Sequence, residues 1–276
     1  MLRGMNTARH SADLQVALGI ADRVDVFTME RFRAADLSVE TKPDMSPVSD
    51  ADLGAERIIR DMLGQFRSRD AILGEEEGET GLSGRRWIID PIDGTKNFVR
   101  GVPVWATLIA LEEQGEIVVG IVSAPALKQR WYAAKGIGAF NGRSATSSRR
   151  LKVSNVGRIE DSSFSYSSLD GWSERNQLRG FLRLAQNCWR TRAYGDFWSY
   201  MLLAEGAVDM AGEPELELYD MAALVPIVTE AGGTFTSLDG TAGPFGGNAF
   251  ASNGHLHEEA LALLNSVEDG EGVAEA

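Results

Sequence analysis

The sequence has few of the features on which disulfide-rich and membrane-spanning proteins depend. It contains a single cysteine, Cys188, so no disulfide can form within the chain, as is usual in a reducing compartment. Residues 1–10 are polar and lack the apolar core of a signal peptide. No apolar run reaches the roughly 18 residues of a membrane-spanning helix. We expect a soluble cytoplasmic protein that does not bind membranes, with Cys188 as a packing residue.

Basic charge is also scarce. The sequence has 27 Lys and Arg residues against 40 Asp and Glu residues, so its formal net charge is −13. A protein that binds duplex DNA neutralises phosphates with basic side chains, and this charge therefore argues against a nucleic-acid partner. A phosphorylated substrate stays possible, because a bound cation can invert the local field.

Histidine is the third scarce residue, with 3 in the chain. His10, His255 and His257 lie near the two ends of the sequence, and we expect all of them on the surface. The sequence therefore indicates no histidine-based or cysteine-based nucleophile.

The rest of the composition is that of a globular protein. Hydrophobic residues make up 43% and charged residues 24% of the chain, and there are 8 prolines. The length of 276 residues corresponds to about two domains or one large domain. We expect an N-terminal α+β half at residues 1–150 with most metal ligands, and a C-terminal α/β half at 151–266 with the substrate pocket. Residues 267–276 are expected to form an acidic disordered tail.

Hydrophobic spacing predicts a layered α/β or α+β protein. The first helix is expected at residues 11–34, with Ser11 as a possible N-cap, and a second helix ends near residue 66. The predicted strands are at 71–74, 87–89, 104–111, 117–123, 162–166, 208–211, 235 and 249–252, with a turn at Gly115 and an exposed connection at 136–150. The later predicted helices are at 174–186, 196–205, 219–231 and 255–264.

Acidic residues follow two of the predicted strands. Residues 73–76 (LGEE) end one strand, and residues 87–95 (WIIDPIDGT) end another. Carboxylates at several strand ends can converge on hard divalent cations such as Mg²⁺. In the second string Asp90 and Asp93 can face one point, and the carbonyl of Ile92 can add an oxygen. Each acid alone also fits a solvated turn, but the combination is more specific than a turn requires.

A phosphate site is expected directly after these acids. Gly94 allows a tight turn, and residues 95–98 can open a short helix. The free backbone N–H groups at a helix start favour a bound phosphate. Metal ions and phosphate would therefore share one site.

Three motifs resemble the signatures of the inositol monophosphatase superfamily. They are LGEE at residues 73–76, WIIDPIDGTKNF at 87–98 and YDMAA at 219–223, and the resemblance covers roughly residues 12–265. It implies an αβαβα sandwich and a phosphomonoesterase that depends on two or three Mg²⁺ ions, with Mn²⁺ as an alternative. It also implies lithium sensitivity and a homodimer.

The resemblance also implies roles for individual residues. The implied metal ligands are Glu75, Asp90, the carbonyl of Ile92, Asp93 and Asp220. Thr95, paired with Asp52, would orient and deprotonate the attacking water, with Glu76 close by. Two positions depart from the family pattern: Ser49 stands where threonine is usual, and Tyr219 stands where tryptophan is usual.

The expected substrate is a phosphate ester with a cationic leaving group. Asp196 follows Gly195 where inositol-type members have small or hydroxyl residues, and Glu213 stands at the family position that contacts the leaving group. Buried carboxylates favour a cationic partner. The strings GDFWSY at 195–200 and TKPD at 41–44 resemble the histidinol-phosphate phosphatase branch, which implies histidinol phosphate as substrate. The expected substrate-binding residues are Gly94, Thr95, Arg192, Gly195, Asp196, Glu213 and Asp220.

Other interpretations remain open at this point. Asp196 also suits the N-cap of a helix. The substrate can instead be inositol phosphate or another sugar-alcohol phosphate. A metal-binding protein without activity is a further alternative, although the complete set of acids argues against it.

Overall fold

The computed structural model describes residues 2–43, 45–143 and 147–266. The acidic tail predicted at 267–276 and Asp44 of the TKPD string lie outside these residues. None of the described helices is both long and apolar enough to cross a membrane.

The helices are distributed along the whole chain. They are α1 (Leu2–Arg31), α2 (Asp50–Phe66), α3 (Thr95–Val99), α4 (Asp170–Glu174), α5 (Leu178–Asn187), α6 (Asp196–Ala204), α7 (Leu218–Ala222), α8 (Leu224–Glu230) and α9 (His257–Asn265). Short 3-10 turns occur at Pro125–Leu127 and Ile159–Asp161.

The strands are concentrated in two sheets. The first-half strands are β1 (Val39–Thr41), β2 (Pro47–Ser49), β3 (Ala71–Gly74), β4 (Gly78–Thr80), β5 (Arg85–Asp93), β6 (Ala106–Glu113), β7 (Glu116–Ala124), β8 (Gln129–Ala134), β9 (Gly138–Asn141) and β10 (Arg149–Arg150). The later strands are β11 (Ser163–Ser165), β12 (Arg190–Arg192), β13 (Met210–Glu213), β14 (Thr234–Thr236) and β15 (Ala249–Ser252).

Within the described residues, the larger sheet has 8 strands in the order β10-β9-β8-β7-β6-β5-β3-β4. Its neighbours are antiparallel except β3 and β5, which are parallel. Side chains alternate between its two faces, so Trp87 and Ile89 pack with α1 and α2, whereas Ile88 packs with the helices that follow residue 195. The first sheet therefore has helices on both faces.

Among the described residues the second sheet has 5 strands in the order β12-β11-β13-β15-β14, and β1 and β2 form a separate antiparallel pair. One of its faces contributes Ala211 and Ala251 to the core that contains α6 and α8. Its other face places Phe164 and Phe250 against α5 and α9. The layers are thus α1/α2, the first sheet, α6–α8, the second sheet and α4/α5/α9, which confirms the predicted αβαβα sandwich.

The first helix is longer than predicted. It begins at Leu2 and continues through Ser11, which is therefore not an N-cap. Apolar periodicity does not indicate these extra turns, because their contacts are polar: Arg9 forms an ion pair with Glu113 on β6, and His10 Nε2 forms a hydrogen bond with the same carboxylate at 3.2 Å.

Two predicted helices have different limits. The helix predicted at 174–186 corresponds to α5 and begins later, at Leu178, after a turn in which Asn176 has a left-handed φ of 57°. The helix predicted at 219–231 is divided at Ala223, shortly before Pro226. Pro226 has no N–H to donate within the first turn of α8, so the helix restarts there.

The prediction of an exposed connection at 136–150 is wrong, since this segment contains β9 and β10.

The prediction that His10 and His257 lie on the surface is also wrong, since these residues are 4% and 7% exposed. The ring of His257 forms hydrogen bonds with the hydroxyls of Thr236 and Ser252, each at 3.0 Å. His255 is exposed, as predicted, and Cys188 is half-buried.

Candidate active site

The acids predicted as metal ligands come together between the first sheet and the central helices. Glu75 follows β3 and the pair Asp90 and Asp93 ends β5, and these two strands are parallel, so their carboxyl ends meet at one edge. Asp220 reaches the same place from α7. One carboxylate oxygen from each of Asp90, Asp93 and Asp220 lies within 4.8 Å of the others.

Burial and mutual repulsion destabilise the charges on these acids. Burial raises the pKa of Asp90 well above its usual range, and nearby Glu75 adds to the effect. Burial also raises the pKa of Asp93. For Asp220, burial raises the pKa to about 7, and the surrounding acids oppose its ionisation. The site therefore favours a bound cation, which would lower all of these pKa values.

The residues fit a divalent metal ion. Asp90 is 1% exposed, and its Oδ1 accepts no hydrogen bond from the described residues. A buried carboxylate oxygen without a donor is costly unless a cation contacts it. Carboxylate oxygens together with a backbone carbonyl are the ligands that hard divalent cations take. The carbonyl of Ile92 lies beside these acids and accepts a hydrogen bond from Thr95 Oγ1 at 3.0 Å.

The predicted pair of Thr95 and Asp52 is present. Thr95 Oγ1 also donates to Asp52 Oδ1 at 3.2 Å. Asp52 is fixed from its other side by Ser49, whose backbone N–H and hydroxyl donate to Oδ2 at 2.8 and 2.6 Å. These contacts form the capping box at the start of α2, so serine performs the hydroxyl function expected at this position.

Lys42 joins the two glutamates that follow β3. Its Nζ donates to Glu75 Oε1 at 2.8 Å and to Glu76 Oε1 at 2.7 Å. Burial raises the pKa of Glu76 to about 7, although the hydrogen bond from Lys42 opposes the shift. Lys42 therefore holds Glu76 beside Glu75, and the carboxyl group of Glu76 gains or loses its proton near neutral pH.

The predicted turn at Gly94 leads directly into α3. Gly94 is the N-cap of this helix and has a left-handed φ of 84°. A Cβ at this position would lie 3.1 Å from the carbonyl oxygen of Val104 and 3.3 Å from Asp196 Oδ2. Glycine thus permits both the conformation and the close approach.

A cleft of about 640 Å³ opens over this cluster. Its described lining residues are Ser46, Pro47, Glu75, Gly94, Thr95, Lys96, Asn97, Ser167, Ser168, Ala193, Tyr194, Gly195, Asp196 and Asp220. Of the predicted metal ligands, Glu75 and Asp220 line the cleft. The turn at 195–196 approaches Asp93 and Gly94 closely, since the N–H of Phe197 donates to Asp93 Oδ2 at 2.8 Å.

Two further carboxylates, Asp196 and Glu213, lie near the metal ligands Asp93 and Asp220, and Asp196 lines the cleft whereas Glu213 does not. Asp196 has a left-handed φ of 48°, and its Oδ2 accepts a hydrogen bond from Asn97 Nδ2 at 3.3 Å. Glu213 is 7% exposed, and burial together with Asp196 and Asp220 raises its pKa to about 8. The hydroxyl of Ser167, which also lines the cleft, accepts a hydrogen bond from the backbone N–H of Asp196 at 3.0 Å.

The alternative interpretation of Asp196 as an N-cap is wrong. Gly195 is the N-cap of α6, and Asp196 is the first residue of the helix. The carboxylate that accepts from the start of this helix is Asp93, whose Oδ2 receives the N–H of Phe197 at 2.8 Å. The Asp196 carboxylate therefore does not cap α6.

The cleft does not contain Arg192, which we expected to bind substrate. Arg192 lies on the edge strand β12, is exposed, and donates to the carbonyl of Thr191 at 2.7 Å. Arg192 is close to Gly195 in the sequence, but its side chain does not line the cleft.

Sequence reasoning missed four residues of the site. They are Lys42, Asn97, Ser167 and Tyr194. Lys42 and Asn97 stand within the strings TKPD and WIIDPIDGTKNF that we quoted for other residues, and Tyr194 directly precedes GDFWSY, so these three were available as candidates. Ser167 carries no local signal, because its partner Asp196 lies 29 positions away in the chain.

Buried acids, a threonine–aspartate pair and a helix start at one cleft define the site of a metal-dependent phosphomonoesterase. The chain belongs to the inositol monophosphatase family, whose family model matches residues 11–269. It is therefore a phosphoric monoester hydrolase that acts on a small phosphate ester.

Individual relatives are similar over most of their length. The chain is 62% identical over 257 residues to a histidinol-phosphatase of Streptomyces coelicolor, covering 92% of this chain and 97% of the relative. It is 55% identical over 255 residues to a histidinol-phosphatase of Mycobacterium tuberculosis, covering 92% and 98%. The crystal structure of the suppressor protein SuhB from Bartonella henselae matches with a TM-score of 0.84 and 31% identity, covering 92% and 99%.

Proposed function

We propose that this phosphatase hydrolyses histidinol phosphate to histidinol and inorganic phosphate, with Mg²⁺ as its metal. The observation that carries the proposal is the pair Asp196 and Glu213: Asp196 lines the cleft, and its negative charge helps to raise the pKa of the buried Glu213 carboxyl. Their mutual repulsion is relieved by a cationic leaving group, and histidinol carries an amine and an imidazole. The names of the two similar bacterial relatives support the same substrate.

Two or three Mg²⁺ ions would be held by the acids described above. Glu75, Asp90 and the carbonyl of Ile92 would hold one ion, while Asp90, Asp93 and Asp220 would hold another. This oxygen-only ligand set supports Mg²⁺, with Mn²⁺ as an alternative. When bound, the metal supplies charge neutralisation for the phosphate oxygens and lowers the pKa of the attacking water.

The proton of the attacking water would be removed through Thr95 and Asp52. Thr95 Oγ1 donates to Asp52 Oδ1 at 3.2 Å. The hydroxyl oxygen can therefore accept the proton of a water molecule while the hydroxyl proton moves towards the buried carboxylate. Ser49 fixes the orientation of Asp52. Glu76 would stay close by, and the backbone of Gly94 and Thr95 would contact the phosphate.

The leaving group would lie beside the turn at Gly195 and Asp196. The backbone of Gly195 and the carboxylates of Asp196 and Glu213 would contact the amine and imidazole of histidinol. Arg192 has no part in this proposal, because its side chain is exposed on the edge strand β12 and donates to the carbonyl of Thr191.

The variant Asp196→Asn tests the substrate. We expect its kcat/KM for histidinol phosphate to fall at least about tenfold more than its kcat/KM for inositol phosphate, since charge-assisted hydrogen bonds contribute about twice as much as neutral ones. Asp61→Asn, at an exposed position on α2, is the matched control. Equal losses on both esters would contradict recognition of a cationic leaving group.

We also propose a cytoplasmic homodimer. The resemblance to the family supports the dimer, and the single cysteine supports a reducing compartment. Size-exclusion chromatography with light scattering measures the mass of the assembly directly. A mass near 60 kDa is expected for a dimer of the 29.9 kDa chain, and the mass of a monomer would contradict the proposed dimer.

A further inference from the structure

Tyr194 is the one aromatic side chain among the described residues that line the cleft. It is half-buried and directly precedes the turn at Gly195 and Asp196. The rest of the described lining consists of small, polar or charged residues and one proline. The cleft that contains the Asp196 carboxylate is therefore lined by one flat aromatic side chain as well.

The ring of Tyr194 is held from two directions. Its hydroxyl accepts a hydrogen bond from Arg190 Nη2 at 2.6 Å. Its ring meets the ring of Trp198 edge to face, with centroids 5.4 Å apart and an interplanar angle of 66°. Both aromatic side chains pack against the central core, which fixes the plane of the tyrosine.

A fixed aromatic ring and a carboxylate in one cleft match the chemistry of a charged aromatic ligand. The carboxylate of Asp196 attracts a positive charge, while an aromatic face attracts both a flat ring and a cation. A tyrosine held in place loses little conformational entropy when it binds a ligand. A sugar alcohol has neither a flat ring nor a charge, so it gains little from this surface.

We propose that Tyr194 is a specificity-determining residue that stacks against the imidazole ring of the leaving group. The inference rests on the proposed function, because it assumes histidinol phosphate as substrate. Asp196 then selects for charge and Tyr194 selects for the aromatic ring. Arg190 and Trp198 act as positioning residues for the tyrosine.

The test compares histidinol phosphate with 2-aminopropyl phosphate, which keeps the amine and the phosphate but lacks the ring. We measure the ratio of the two kcat/KM values for the wild type, Tyr194→Leu and Tyr194→Phe. The ratio is expected to fall by about 5- to 30-fold in Tyr194→Leu, the range of cation–π and stacking contacts. It is expected to stay within about threefold in Tyr194→Phe, which keeps the ring and loses the bond to Arg190.

Three outcomes are distinguishable. A wild type that does not hydrolyse histidinol phosphate overturns the proposed function and the stacking with it. A wild type that does so, with an unchanged ratio in Tyr194→Leu, overturns the stacking alone. An equal fall in the Phe and Leu variants also overturns it, because the hydroxyl and not the ring would then carry the selection.

A binding measurement keeps the test independent of variant folding. Histidinol and 2-aminopropanol are compared as competitive inhibitors of the wild type, in the presence of inorganic phosphate and Mg²⁺. Histidinol is expected to bind at least about fivefold more tightly. Equal inhibition constants would overturn the role of an aromatic surface.

Discussion

At the scale of single residues, the cleft is built from carboxylates that cost folding stability. Glu213 and Asp90 are both buried. Neither Glu213 Oε1 nor Asp90 Oδ1 accepts a hydrogen bond from the described residues. Such groups are retained at functional sites although an apolar or neutral residue would be more stable there. Their pKa values rise because the protein disfavours their charges.

Glu213→Gln should stabilise the metal-free protein at alkaline pH. Burial raises the pKa of Glu213 from 4.5 to about 8, so its contribution to stability is full below pH 4.5 and is lost as the pH rises through 8. Glutamine carries no charge and avoids this loss. We expect a gain of about 1–2 kcal/mol in the free energy of unfolding at pH 9 and a smaller difference at pH 5.

Urea unfolding in the presence of a chelator measures this difference, with Glu259→Gln on the exposed surface of α9 as the control. A Glu213→Gln variant that is less stable than the wild type at pH 9 would contradict the account. Its activity on histidinol phosphate should fall, because the leaving group loses one anionic partner.

Thr95 should be needed for turnover and not for folding. Thr95→Val removes the hydroxyl between Asp52 and the carbonyl of Ile92, and we expect kcat to fall by about 10² to 10⁴. Thr95→Ser keeps the hydroxyl and should retain most of the activity. Phosphate release and urea unfolding measured on both variants check the prediction. A valine variant within fivefold of wild-type kcat would show that the hydroxyl takes no part in proton removal.

Site residues could be predicted where several of them stand close together in the sequence. Asp90, Asp93 and Thr95 lie within one strand end and one turn, so the local string indicates a shared site. The contacts of Lys42 and Ser167 join distant segments, and no local pattern reports them. The burial of His257 escaped prediction for the same reason, since Thr236 is its partner across 21 positions.

At the scale of elements, the close approach of β7 to the junction of α7 and α8 determines how the central layer sits on the first sheet. Gly120 lies in the middle of β7, and a Cβ there would be 2.2 Å from the carbonyl oxygen of Ala223 and 2.6 Å from Pro226 Cγ. Contact this close leaves no room for a side chain. The helices that carry Asp220 are therefore positioned by a glycine in the sheet.

Gly120→Ala should destabilise the protein by about 1–3 kcal/mol, because the added methyl overpacks the junction. Gly64→Ala is the matched control: nothing lies within 4 Å of a Cβ at Gly64, which is in the last turns of α2. That substitution should stabilise the protein by about 0.5–1 kcal/mol through helix propensity. Urea unfolding of both variants checks the pair, and equal effects would contradict the assigned close packing.

Elements were predicted well where apolar spacing is regular, as in α2 and β7. They were predicted poorly where polar or backbone interactions set their limits. The N-terminal turns of α1 depend on ion pairs to Glu113, and the gap between α4 and α5 depends on the left-handed conformation of Asn176. The short strand β9 was missed because its glycine and asparagine are typical of turns.

At the scale of the whole molecule, the acidic charge has distinct sources. The net charge is −13, of which the site residues Asp52, Glu75, Asp90, Asp93 and Asp220 contribute five negative charges and residues 267–276 contribute four. Repulsion of anions is therefore concentrated at the cleft, where bound cations reverse it. Binding of the phosphate ester should depend on prior binding of metal.

Metal-free protein should lose stability as the pH rises from 6 to 9. The pKa of Asp220 is raised to about 7 and that of Glu213 to about 8, so both carboxylates are stabilising when protonated and lose this contribution as they ionise. A Mg²⁺ concentration that is 100 times its Kd at pH 9 should restore about 2.7 kcal/mol at that pH. The same concentration should restore less at pH 6, because protonated ligands must release their protons before they bind the metal and the Kd is therefore higher.

Thermal unfolding at the two pH values, with a chelator or with MgCl₂ and with NaCl of equal ionic strength as control, measures both effects. A metal-free Tm that stays constant or rises between pH 6 and 9 would contradict the raised pKa values. A Tm that NaCl increases as much as MgCl₂ would show general screening in place of a metal site.

Phosphate release from histidinol phosphate and inositol phosphate, with Mg²⁺ and after chelation, tests the central claim most directly. The purified protein is expected to release phosphate from histidinol phosphate with the higher kcat/KM, and to lose this activity on chelation and regain it with Mg²⁺. Release that survives chelation, or a higher kcat/KM for inositol phosphate, would contradict the account.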